Sequence, residues 1–167
     1  MTATRRAATE RDRLLVALDG SRVPVSYVSS LLRVLQAALR EVGHADEATR
    51  GAFEGTGPPI LLMSADQVEE ELALAFHFAG STDGVPMDNV SALVFDAFLD
   101  RLSEYVRGLP QPSLFGGAAA GAPRRESEDA MTRRMDQVHR ELRRSPRVTL
   151  STGGKSLRIE GQSMEIA

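Results

Sequence analysis

The sequence predicts an α+β protein: a mostly antiparallel sheet of about five or six short strands, with two core helices on one face. A further helix and a C-terminal β-hairpin follow a linker. Three observations carry this reading. Short segments of alternating apolar residues recur near positions 14, 72 and 148. Two longer segments repeat apolar residues at helical spacing. Gly and Pro punctuate the boundaries between them.

Residues 1–12 are polar and read as a flexible N-terminal arm. They carry no apolar stretch of the kind a secretory leader needs. From Leu14, alternation of Leu14, Val16 and Leu18 with Leu15 and Ala17 reads as a strand. Gly20-Ser21 offers a two-residue turn, with Gly supplying positive φ. The implied hairpin pairs Leu18 with Val23 and Val16 with Val25. Ser26 is the expected N-cap of the first helix. Val28, Leu31, Leu32, Leu35, Ala38, Leu39 and Val42 form its apolar stripe, and Gly43 its expected stop.

Residues 44–58, rich in Gly and Pro, read as a mobile connection. Ile60 to Met63 is a short strand. Asp66, Glu69, Glu70 and Glu71 form an acidic turn or short helix with a solvated face. Leu72 to Ala79 is the clearest interior strand, with Leu72, Leu74, Phe76 and Phe78 on one side and His77 on the other. Gly80 to Gly84 turns the chain into a second helix over about 88–107, ended by Gly108 and Pro110.

The segments that open the two helices, Val23-Pro24-Val25-Ser26 and Val85-Pro86-Met87-Asp88, are alike at an offset of 62 residues. The likeness fits either shared capping chemistry or a duplicated strand–turn–helix unit within residues 13–108.

Residues 109–125 are a Pro/Gly/Ala linker in which Leu114-Phe115 is an apolar pair, an anchor for the domain itself or for a partner. Residues 126–167 then form the basic amphipathic helix and the hairpin. In the hairpin, Gly153-Gly154 makes the turn. Leu150 faces Leu157, Val148 faces Ile159, Thr149 faces Arg158 and Arg147 faces Glu160, so apolar and charge pairing select one register.

Composition narrows the chemistry. The chain has 167 residues, 42% hydrophobic and 26% charged, which suits a folded domain rather than a disordered one. Cys is absent, excluding disulfides, thiol catalysis and thiolate metal sites. No apolar run reaches the roughly 18 residues of a membrane span, so no membrane partner is expected. The expected compartment is the cytoplasm. The Ala-, Arg- and Gly-rich usage suggests a bacterial source.

The motif search points away from catalysis. Gly153-Gly154-Lys155-Ser156 looks like the end of a phosphate-binding loop, but Thr149 stands where the first Gly belongs and a strand follows instead of a helix. No Gly-x-Ser-x-Gly elbow occurs. His44, His77 and His139 have no metal-ligating partner at helical or hairpin spacing, so no metal or cofactor is expected. His77 lies on a strand expected to be buried and is a candidate buried polar group or pH switch.

The charge distribution is more informative. Residues 124–147 hold eight Arg and five acidic side chains, while residues 1–123 hold ten basic and sixteen acidic ones. Met131, Met135, Val138 and Leu142 form a narrow seam at 4-3-4 spacing, as in helix-to-helix docking. Arg133, Arg134, Arg140, Arg143 and Arg144 flank it. The reading is a non-catalytic protein–protein interaction or assembly module that docks through helix 126–144, on its own core, a second copy or another protein. The alternative is an accessory nucleic-acid-binding protein using the same arginines, although no aromatic residue is interleaved for base stacking. A small hydrolase or metal enzyme around His77 or His44 is the third class.

Overall fold

A computed structural model describes residues 13–19, 23–54, 57–68, 71–108 and 126–160. Among them the chain forms five strands and four helices: β1 (Leu14–Asp19), α1 (Val25–Ala45), α2 (Glu47–Glu54), β2 (Ile60–Val68), β3 (Glu71–Ala79), α3 (Asp88–Arg107), α4 (Glu126–Leu142), β4 (Arg147–Thr152) and β5 (Lys155–Glu160). The strands make one antiparallel sheet in the order β2-β3-β1-β4-β5. The fold class is α+β.

β1 has no hairpin partner at 23–25. Its two edges are taken by β3, pairing Leu14 with Phe76, and by β4, pairing Leu18 with Val148. Both rows of backbone groups are satisfied by these neighbours, and Val25 instead opens α1 with 83% of its surface exposed. Pro24 is the N-cap of α1, and neither Ser26 nor Asp88 caps its helix; no side-chain cap hydrogen bond forms at either start. Pro at this position loses no bond, since the first helical amides have no acceptor within the helix.

The expected apolar stripe of α1 is in place. Leu31, Leu35, Ala38, Leu39 and Val42 are fully buried, and Tyr27 nearly so. Gly43 does not stop the helix. It lies within α1, where an added Cβ would sit 2.7 Å from Phe53 Cδ2. The missing side chain makes room for the Phe53 ring. The segment after it is not a loose connection but contains α2. Asp46 Oδ1 accepts the Ala48 amide at 3.2 Å, and Thr49 Oγ1 donates to the Gly43 carbonyl at 2.7 Å, so the chain turns directly from one helix into the next.

Phe53 packs edge-on to Phe78, which stacks on Phe95, joining α2, β3 and α3. Side chains of β1, β3, β4, β5 and all four helices merge into one apolar cluster. The alternating faces expected for β3 are observed: Leu74, Phe76 and Phe78 are buried. Beyond the start of β1, residues 85–87 continue the ladder, with the Met87 amide donating to the Phe78 carbonyl at 2.8 Å. The Phe78 amide donates to Ser91 Oγ at 2.9 Å, fastening α3 to the end of β3.

β2 runs from Ile60 to Val68, longer than expected, so Asp66 lies in a strand and Glu71 opens β3 rather than belonging to a turn or helix. The C-terminal hairpin has the expected register, with Gly153 at a φ of 57° in its turn. Residues 1–12, the linker 109–125 with Leu114 and Phe115, and residues 161–167 lie outside the described residues.

The Gly43–Phe53 contact is testable. Gly43→Ala gains about 1 kcal/mol in helix propensity, but a ring packed on both sides must move, which costs about 1–3 kcal/mol. Urea unfolding is expected to show a net loss of stability in the native background and a gain in a Phe53→Ala background.

Candidate functional site

Helix α4, which ends at Leu142 rather than at Arg144, and the turn after it, which carries Arg143 and Arg144, hold the residues that the sequence marks for docking. Met131, Met135, Val138 and Leu142 are 8%, 2%, 0% and 0% exposed, and they belong to the same core as α1 and α3. The seam is therefore occupied by the chain's own body. The body and the segment after residue 125 share one sheet and one core. Charge complementarity is satisfied inside one chain as well. Arg134 Nε meets Glu41 Oε2 of α1 at 2.6 Å.

The remaining arginines divide into two groups. Arg140 pairs with Asp136 at 3.0 Å. Arg144 pairs with Glu141 at 2.7 Å and lies over the Tyr27 ring, 5.4 Å from its centroid. Arg133 and Arg143 are exposed. Three of the five cations thus face a carboxylate, which weakens the attraction for phosphate that the nucleic-acid alternative requires.

Between α3 and α4 lies a polar cluster that local sequence patterns do not disclose. The Tyr105 hydroxyl donates to Asp136 Oδ1, and the Tyr105 ring meets His139 edge-on at 5.8 Å. Burial, helped by Asp136, pushes the Tyr105 pKa up to about 12. His139 is 8% exposed; burial and then the nearby Arg143 hold its pKa below the ordinary 6.5. The Tyr27 hydroxyl is buried beside Ser145 without a hydrogen bond in acceptable geometry. Burial and Glu141 raise its pKa to about 12.

Gly153-Gly154-Lys155-Ser156 is a hairpin turn, and Lys155 Nζ reaches Asp96 and Asp100 of α3, each at 2.8 Å. A cavity of about 300 Å³ beside it is lined by residues of α3 and β5, among them Ser103 and Ser156. Among the described residues no histidine lines it; Asp100, Glu104 and Lys155 share its wall with the two serines. His44 is exposed at the end of α1 against the Phe53 ring. His77 is half-buried rather than buried, with its pKa lowered by partial burial and by Arg13. Among the described residues no group of three or more potential metal ligands converges, and no helix is long and apolar enough to cross a membrane.

The second face of the sheet is the largest feature that remains. The helices all lie against the face bearing Val16, Phe76 and Leu150. On the opposite face the register aligns Ser64, Ala75, Leu15, Ser151 and Ser156 in one row. Asp66, Ala73, Ala17, Thr149 and Arg158 form the next. Among the described residues no helix covers these rows.

No family model, no curated protein and no solved structure matches the chain. The geometry alone therefore bears on function.

A solvated face of an antiparallel sheet normally alternates polar side chains outward. Here the three inner strands present Leu15, Ala17, Ala73, Ala75, Thr149 and Ser151 without a charge, and charged groups stand at the margins. Among the described residues nothing covers this neutral face, whose small side chains suit close approach by another backbone. Its sequence signal is the second apolar side of residues 73–79, which strand alternation alone assigns to a covered interior.

Neutral, buried His139 makes stability depend on pH. Its folded pKa lies below the unfolded one, so the unfolded chain binds the extra proton. Stability is complete above about pH 6.5 and falls as pH drops through the folded pKa. The urea midpoint is expected to fall between about pH 7.5 and about pH 5.5, and to fall less in His139→Gln. Equal falls in both proteins would contradict this role.

Proposed function

We propose that the chain is a non-catalytic protein–protein interaction module that binds through the open face of its sheet rather than through the seam of α4. The observation that supports this reading is the neutral, largely apolar pair of rows across β3, β1 and β4, on the side away from all four helices. Small side chains there allow a flat partner surface to approach the strands closely. Exclusion of water from such a face contributes roughly 25 cal/mol per Å² of apolar surface covered. The seam on α4 is already spent on the chain's own core.

The surface can be mapped while the partner is still unidentified. A photo-crosslinking amino acid at Ala75, in the cell that makes the protein, is expected to trap a discrete protein species. The same group at Gln137, exposed on α4, is expected to trap none. A charge at the neighbouring row, Ala73→Arg, is expected to abolish the trapped species while changing stability by only about 0.5 kcal/mol. Equal trapping from both positions, or none from Ala75, would overturn the reading.

A further inference from the structure

Among the described residues the sheet ends at β2 and β5, and these two edges differ in a way that bears on self-association. A sheet edge offers unpaired N–H and C=O groups, and folded proteins commonly protect it with charge. β5 follows that rule: Lys155, Arg158 and Glu160 are three of its six residues, all exposed. β2 does not. Its first six residues, Ile60 to Ala65, carry no charge. Ile60, Leu62 and Met63 are 36%, 37% and 43% exposed. Leu62 points to the open face of the sheet and Met63 to the helix side, so the edge is apolar on both faces.

We propose that β2 pairs with β2 of a second copy of this chain, joining two sheets into one of ten strands. The ends of the segment select the register. Pro58 and Pro59 precede it and cannot donate to a ladder. Asp66 is the first charge along it. The uncharged run between these limits, Ile60 to Ala65, has its midpoint between Leu62 and Met63, so Met63 is one of the two residues at its middle. A two-fold axis at Met63 pairs Met63 with Met63, Leu62 with Ser64 and Ile60 with Asp66, and every pair shares a face. The two Asp66 carboxylates then stand far apart, at opposite ends of the new ladder, each opposite an uncharged residue. A second copy supplies an uncharged run of matching length, bounded at the same ends by Pro59 and Asp66, which favours it as the occupant.

The mass of the full chain in solution, followed over a dilution series, tests the proposal. The expected value at high concentration is twice the 18.1 kDa of one chain. Leu62→Lys, at an exposed position that the monomer tolerates, is expected to give a folded monomer, checked by an unchanged urea midpoint. Because the chain has no Cys, single cysteines report the register. Met63→Cys is expected to form a covalent dimer with a short bis-maleimide. Asp66→Cys, separated from its equivalent by roughly 20 Å along the ladder, is expected to form none. Three results would overturn the proposal: a monomer at every concentration, a dimer that Leu62→Lys leaves intact, or β2 pairing with an extended segment of a different protein. The inference does not depend on the partner of the open face, because Ala75 trapping can fail while the β2 dimer remains.

Discussion

β1 occupies the middle of the sheet, and its double pairing is the constraint on which the rest depends. One edge bonds to β3 and the other to β4, more than 120 residues further along the chain. Removing β4 would expose a row of β1 backbone groups and uncover Val16 and Leu18, both fully buried. α4 then has a defined task. Its seam closes the helical layer against α1 and α3, and Arg134–Glu41 fixes its lateral position. A solvent-accessible, half-buried ion pair of this kind adds about 1 kcal/mol, so the apolar seam dominates.

Local signals were legible where partners are near in sequence. The β4–β5 hairpin follows from a Gly-Gly turn with apolar and charged pairs that agree on one register. The buried face of β3 and the stripe of α1 follow from period. Non-local choices were not legible. Gly20-Ser21 makes a local hairpin plausible, but β1 takes two distant neighbours, and no periodicity names them. Gly43 resembles a helix stop until the ring of Phe53, ten residues later, is seen against it. α2 has little apolar content and forms because Asp46 starts it and Phe53 anchors it.

The candidate site shows the same division. A 4-3-4 spacing states that α4 docks on something, and is equally consistent with a partner or with its own chain. The Tyr105–Asp136–His139 cluster joins residues 31 and more positions apart, so no motif announces it. The open sheet face was present in the sequence as Ala73, Ala75 and His77 beside Leu15 and Ala17, yet only the placement of the helices shows which side they leave uncovered. The arginines of α4 and of the turn after it are mostly paired within the molecule, whereas the sheet keeps one face that no described helix covers.

The central claim is that the segments before and after residues 109–125 form a single cooperative unit. Native-state hydrogen exchange in low denaturant measures this directly. Amides of β1 and β3 and those of β4 and α4 are expected to share one global opening free energy. A separate, lower-energy opening of α4, β4 and β5, with β1 and β3 still protected, would contradict the account.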